Sequence, residues 1–273
     1  MTMKTRLIWL SVMGICAVAP SSTAAQQPGT DDWCREQSWG RDRAGFCEVR
    51  ELTLPTSGAL AVDASPNGGI KVEGGPRYDV QLRARVVATA QSEERARQIA
   101  ALVRVQASGD RIAAEGPGRP EGLQERESWS VSYELSVPMQ MSLDLKTTNG
   151  GLSIRDVEGK IGFTTTNGGV KLANVGGDVQ GRTTNGGVDI ELDGVAWRGD
   201  GLDVQTTNGG VRLSIPEGYS ARLEAGTVNG GLSSEFPVVT RQRRPRDIEA
   251  TLGGGGAPIR VRTSNGGVRI TKK

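Results

Sequence analysis

The sequence predicts an all-β chain folded as a β-solenoid, and three observations carry that prediction. A five-residue motif recurs, apolar residues alternate at period two after each copy, and the repeat region has no 3.6-residue periodicity. Thr-Thr-Asn-Gly-Gly begins at Thr147, Thr165, Thr183 and Thr206, with the variants Thr-Val-Asn-Gly-Gly at Thr227 and Thr-Ser-Asn-Gly-Gly at Thr263. An outlying Pro-Asn-Gly-Gly starts at Pro66. From Thr147 onward the spacings are 18, 18, 23, 21 and 36 residues.

Within a repeat the pattern is that of short, half-buried strands. Leu152 and Ile154, or Val170 and Leu172, alternate after the glycines, followed by Val157 or Val175, a glycine turn at Gly159 or Gly177, and Ile161 or Val179. Asn-Gly offers two positions tolerant of positive φ, which would let the chain reverse at each motif. Two short strands cannot bury a core alone, but stacked repeats share one interior and pair their backbones with the layers on either side. Asn149, Asn167, Asn185, Asn208, Asn229 and Asn265 would then lie over one another in chain order, with Asn67 as an earlier, similar turn. Stacked asparagine amides hydrogen-bond along such arrays. In that order Asn185 has a neighbour on each side and Asn265, near the terminus, has one at most. The competing geometry is an antiparallel β-meander or sandwich, since Asn-Gly is also the strongest hairpin signal. The identity of the repeats through their second turn favours the solenoid. Two insertions interrupt it, Glu191 to Gly201 with Trp197, and Thr240 to Gly256 with Arg241, Arg243, Arg244 and Arg246. The second reads as a mobile loop able to meet anionic glycan or lipid headgroups.

Ahead of the repeats the pattern changes. Residues 1–25 read as a signal peptide: Lys4 and Arg6, the 13-residue apolar run Leu7 to Ala19, and cleavage after Ala25. That run is too short for a spanning helix, and no later stretch is apolar enough. Ile15 stands where a lipoprotein signal wants a small residue, so Cys16 is read as an ordinary residue of a discarded leader. Residues 26–59 hold Cys34 and Cys47. Residues 60–146 contain strands around Asn67, a helix from Glu93 to about Val103 capped by Ser92, a hairpin near Gly109-Asp110 and a strand from Trp129 to Val137. This α/β segment would cap one end of the array at 147–273, and Lys272-Lys273 would protect the other.

Composition removes several function classes. Leader cleavage leaves 31 basic residues against 31 acidic, a neutral chain poorly suited to nucleic acid. Cys34 and Cys47, the cysteines left in an exported chain, predict one disulfide closing a 14-residue loop. Zinc would need further ligands, and the chain has no histidine. Histidine-dependent triads and metal centres are excluded with it. No cofactor is expected. Asp189, Glu191 and Asp193 are the nearest approach to a carboxylate cluster, and the acidic residues do not recur at one phase of the repeat. Calcium-binding nonapeptide repeats carry a regular aspartate that is absent here.

The Thr-Thr-Asn-Gly-Gly-Val repeats, the segment Ala61-Val62-Asp63-Ala64-Ser65-Pro66-Asn67-Gly68-Gly69-Ile70 and the string Cys47-Glu48-Val49-Arg50-Glu51 resemble the bacterial "putative adhesin" family of exported β-strand-repeat proteins. The resemblance covers roughly residues 47–273. It implies a single-stranded right-handed β-helix in an envelope or extracellular setting, with no catalytic residues to carry over. The expected function is a non-enzymatic interaction or structural module, periplasmic or at the cell surface, meeting a glycan or an envelope protein. The alternative is a polysaccharide lyase or hydrolase on a β-helix, which needs convergent carboxylates.

Overall fold

A computed structural model describes residues 32–35, 39, 43–119, 122–237, 239–241 and 244–273. The leader, Cys16, the cleavage point and Arg243 lie outside them. The chain forms two long sheets whose inward residues share one apolar core.

The N-terminal part begins with α1 (Asp32–Arg35), β1 (Ala44–Pro55) and β2 (Ala59–Asp63). It continues with β3 (Ile70–Gly75), β4 (Asp79–Ala90) and α2 (Glu93–Leu102), followed by β5 (Arg104–Ser108), β6 (Arg111–Glu115) and β7 (Ser128–Pro138). Ser92 caps α2 by accepting a hydrogen bond from the Arg95 backbone N–H, and Ala96, Ile99 and Ala100 form its buried face. That face packs against β1 and β4. β1, β4 and β7 are antiparallel to one another, and β5 and β6 form the expected hairpin.

From Ser142 each coil supplies one strand to each sheet. The pairs are β8 (Ser142–Asn149) with β9 (Leu152–Arg155), β10 (Glu158–Asn167) with β11 (Val170–Ala173), and β12 (Gly176–Asn185) with β13 (Val188–Glu191). They continue as β14 (Gly201–Asn208) with β15 (Val211–Ile215), and β16 (Ala221–Asn229) with β17 (Leu232–Ser234). β18 (Val239–Arg241) and β19 (Arg244–Leu252) precede the last pair, β20 (Pro258–Asn265) with β21 (Val268–Lys272). Neighbouring coils pair parallel with every motif in register, as a solenoid requires and a meander does not: Thr147, Thr165, Thr183, Thr206, Thr263 and Thr227 stand side by side. The coil formed by β2 and β3 joins the same stack, with Asn67 bridged to Asn149.

Spatial order departs from chain order at one place. In the second sheet the sequence of strands is β16-β20-β14-β12-β10-β8-β2, and in the first β17-β21-β15-β13-β11-β9-β3. The C-terminal coil is therefore intercalated between the two coils that precede it. The cause is β19, which runs antiparallel along the far side of β16. The turn Gly253–Gly256, with positive φ at Gly253, Gly255 and Gly256, then returns β20 along the near side. Gly254 N–H donates to Ser220 Oγ at 3.1 Å, and Lys273 N–H donates to the Ile215 carbonyl at 2.9 Å, so both ends of the coil are tied down. This corrects the expectation that Asn265 is terminal and that Lys272-Lys273 guards an open end. Lys272 lies inside the stack and pairs with Glu217 at 3.3 Å.

Two local expectations are also corrected. None of the motif asparagines or glycines has positive φ. The second corner falls at Asp156-Val157 and Asn174-Val175, where Asp156 and Asn174 take φ of 57° and 49°; Gly159 and Gly177 lie at the starts of β10 and β12, and of the two Gly177 takes positive φ, 96°. The insert after Glu191 leaves the register intact. Trp197 is buried against the neighbouring corner, with Nε1–H donating to the Gly177 carbonyl at 3.0 Å.

Candidate interaction surface

The repeat builds its outer surface as parallel columns, one residue per coil. The asparagine column runs Asn67, Asn149, Asn167, Asn185, Asn208, Asn265, Asn229. Each Nδ2 donates to the Oδ1 of the preceding member at 2.7–2.9 Å. All six hydrogen bonds point the same way, so the ladder is polar, with the Asn229 oxygen at one end and the Asn67 amide nitrogen at the other.

Behind it lies a column the sequence reading missed. The first threonine of each motif is buried, and its hydroxyl donates to the first glycine carbonyl of the adjacent coil. Thr147 reaches Gly68 at 2.7 Å, Thr183 reaches Gly168 at 3.0 Å and Thr263 reaches Gly209 at 2.8 Å. The signal was available, because that threonine is present in all six repeats from Thr147 onward while the next position varies among threonine, valine and serine. A strictly repeated β-branched hydroxyl beside a variable one marks an inward, hydrogen-bonded position.

The two glycines of the motif do different work. A Cβ on the first would collide with the carbonyl of the next coil: Gly150 with Gly68 O at 2.0 Å, Gly168 with Gly150 O at 1.9 Å, Gly266 with Gly209 O at 2.1 Å. Close backbone approach, not left-handed φ, requires glycine there. The second glycine is less constrained, although a Cβ at Gly69, Gly210 or Gly267 would press on a neighbouring carbonyl at 3.3 Å. A Cβ at Gly151, Gly169 or Gly187 would meet its nearest atom at 3.5–3.6 Å, and at Gly231 nothing lies within 4 Å.

Two residues beyond the second-glycine column comes an outward row on the first sheet: Lys71, Ser153, Lys171, Asp189, Arg212, Arg269 and Ser233, all in register. Between Asp189 and Ser233 this row and the glycines Gly187, Gly210, Gly267 and Gly231 line an open groove of about 790 Å³. Asp189 pairs with Arg212 at 3.7 Å and Glu191 with Lys171 at 3.4 Å, while Asp193 lies beyond the end of β13. The three carboxylates therefore do not converge. Among the described residues no group of three or more cysteine or acidic side chains is placed to hold a metal ion.

Cys34 of α1 and Cys47 of β1 form a disulfide with Cα atoms 5.7 Å apart. Arg85 stacks over Trp33, 4.7 Å from the ring centroid, so the bridge and the cation–π contact hold α1 against the first sheet. The arginine segment is not an open loop. β18 and β19 form an antiparallel hairpin that extends the second sheet beyond β16. Arg241 and Arg244 occupy strand positions at its turn, and Arg246 donates to the Val228 carbonyl, covering the end of β16. Elsewhere, Arg95 holds buried Glu127 well below the usual carboxylate range through paired hydrogen bonds of 2.8 and 2.9 Å, assisted by the Gln124 N–H. Burial raises the Tyr219 phenol to about 12.

Residues 51–271 match the Toastrack DUF4097 family. The chain belongs to that family. The long parallel sheets are consistent with a solenoid-like Toastrack fold. Solved structures similar to this Toastrack chain include a "putative cell adhesion protein" of Clostridium sporogenes ATCC 15579, at 12% identity and TM-score 0.44, the match covering 83% of this chain and 100% of that one. A "putative adhesin" of Bacteroides fragilis NCTC 9343 matches at 12% identity and TM-score 0.38, over 83% and 97% of the two chains. A "putative lipid binding protein" of Parabacteroides distasonis ATCC 8503 matches at 8% identity and TM-score 0.34, over 82% and 96%. No curated protein matches the chain significantly. No described helix is long and apolar enough to cross a membrane.

Proposed function

We propose that this Toastrack chain is a non-enzymatic, exported interaction module of the cell envelope or surface, adhesin-like in that a rigid face contacts a glycan or an envelope protein. The observation that carries this reading is the groove on the first sheet, where four coils present a continuous, solvent-open track on an inextensible hydrogen-bonded frame. The carboxylates nearest to a catalytic arrangement, Asp189 at the edge of the groove and Glu191 outside it, each have a basic partner, which favours contact over chemistry. The disulfide supports an oxidising compartment, in line with a leader over residues 1–25.

In this reading the solenoid winds right-handed, and the segments 26–59 and 60–146 close the β3 end of the 147–273 array. The hairpin of β18 and β19, which carries Arg241, Arg244 and Arg246, is a second contact element at the opposite end. The motif asparagines keep coil spacing constant so that neither surface flexes. Fractionation of cells expressing the chain with its own leader, followed by an envelope pull-down, tests the proposal. Recovery from the periplasm or surface with a retained envelope component is expected. Cytoplasmic recovery would overturn it, as would turnover of a polysaccharide abolished by Asp189→Ala or Glu191→Ala.

A further inference from the structure

At Gly151, Gly169, Gly187 and Gly231 the second glycine of the motif has no steric reason to be glycine, whereas at Gly69, Gly210 and Gly267 a Cβ would press on a neighbouring carbonyl at 3.3 Å. None of them takes positive φ, and at Gly187 a Cβ would be 3.6 Å from its nearest neighbour, an ordinary contact. Alanine or valine there would raise β propensity and reduce the entropy lost on folding. Yet glycine occupies this position in every copy, leaving a bare backbone track along the stack. Glycine is also the residue used where a ligand must lie close to main chain.

A second, independent oddity sits beside the track. Arg212 and Arg269 are directly opposed on β15 and β21, both side chains exposed, about 4.8 Å apart in backbone spacing. Like charges directly opposite on a sheet are destabilising. Some other basic residues of the outer faces are matched, Lys171 with Glu191 and Arg260 with Glu224. Arg212 has only Asp189, at 3.7 Å, and Arg269 has no hydrogen-bond or ion-pair partner among the described residues. The pair lines the 790 Å³ groove whose floor is the glycine track. It exists only because the C-terminal coil is intercalated, since chain order would have placed Ser233 beside Arg212.

We propose that this groove binds an extended, carboxylated polysaccharide, laid across β13, β15, β21 and β17, with a uronate carboxylate held between Arg212 and Arg269. Planar guanidinium groups match a carboxylate in paired hydrogen bonds. A floor without side chains lets sugar rings approach the main chain closely, and the four glycines supply one. Ser233 and Asp189 flank the arginines as hydroxyl-recognising groups. The inference rests on the interaction-module reading and names the ligand class for its groove.

The test uses the full mature chain with fluorescent polygalacturonate as probe, and neutral dextran and poly-L-glutamate as comparisons. Saturable binding to polygalacturonate is expected, weakening with salt, with none to dextran and at least tenfold weaker binding to poly-L-glutamate. Arg212→Gln with Arg269→Gln reduces polygalacturonate affinity at least tenfold, at an unfolding midpoint no lower than that of the unaltered chain. Gly187→Val blocks the floor and also weakens binding, whereas Gly151→Val, the same position outside the groove, does not. Absent binding, affinity unchanged in the arginine double variant, or equal binding of poly-L-glutamate would overturn the assignment. If the arginine double variant still retains its envelope component in the pull-down, the glycan assignment alone fails. Loss of all envelope retention by the unaltered chain removes the module reading as well.

Discussion

At the residue scale the Asn-Gly-Gly corner separates two glycines that look alike in the sequence. Gly168→Ala would drive a methyl to 1.9 Å from the Gly150 carbonyl, so the coils must part, at a cost of about 3 kcal/mol. Gly169→Ala meets its nearest atom at 3.6 Å and is expected to change stability by no more than about 0.5 kcal/mol. Matched urea titrations of the two variants measure the difference. Thr183→Val removes a buried hydroxyl that donates to Gly168 at 3.0 Å and leaves that carbonyl short of a partner, costing about 1–2 kcal/mol. Thr184→Val, on the exposed side of the same strand, is expected to be near neutral by the same measurement.

Residue-scale electrostatics give a pH dependence with a definite sign. Arg95 lowers the folded pKa of Glu127, and Arg260 lowers that of Glu224. Both ion pairs therefore add stability that is complete above the unfolded carboxylate value near 4.5 and is lost as pH falls through the lower folded values. Glu127→Gln is expected to lower the thermal midpoint at pH 7 and to flatten its decline below pH 4.5. Parallel midpoint-against-pH curves for the two proteins check this.

At the element scale each coil is held by the same three devices: ladder pairing, the threonine hydroxyl and the asparagine amide. The amides are exposed and compete with water, so each rung is worth about 0.5 kcal/mol, at the low end for hydrogen bonds. Asn265 makes two rungs, to Asn208 and Asn229, while Asn229 makes one. Asn265→Ala is therefore expected to lower the denaturation midpoint about twice as much as Asn229→Ala. Chain order alone argues the reverse. None of the motif asparagines has positive φ, so the effect is that of the amide alone.

At the scale of the whole molecule the intercalated C-terminal coil makes the end of the chain a central part of the stack. Removing residues 258–273 takes out β20 and β21, leaving β14 and β16 without their shared neighbour. A terminal coil could be lost with modest effect in a nearest-neighbour array. Loss of an interior one exposes two apolar edges and the core beneath them. The truncated chain is expected to unfold at least 10 °C lower and to bind a hydrophobic dye in its native baseline, both read in one thermal scan. Coils that closed up in chain order without it would show neither change.

Much of this architecture was legible in the linear pattern, because β pairing between coils repeats a local geometry. Once Thr-Thr-Asn-Gly-Gly recurs with alternating apolar residues after it, one register buries every inward side chain, and a slip of one residue would expose them all. The same pattern foretold the asparagine column and the helix capped by Ser92. Three things depended on contacts between distant segments. Identical motifs make the coils interchangeable, so no local signal ranks Asn265 before Asn229; the hairpin of β18 and β19 does so by occupying the far side of β16. A repeated glycine does not announce whether a neighbouring carbonyl or an empty surface requires it; only the stack sets Gly168 against Gly150 and leaves Gly169 bare. Nor could the sequence bring Arg269 beside Arg212, 57 residues earlier, since that adjacency arises from the order of the coils. The sequence by itself determined the coil, its register and its columns, because these follow from the period of the chain. The order of the coils, and the groove that order creates, belonged to the tertiary structure, because equal repeats are sorted only by what binds their edges.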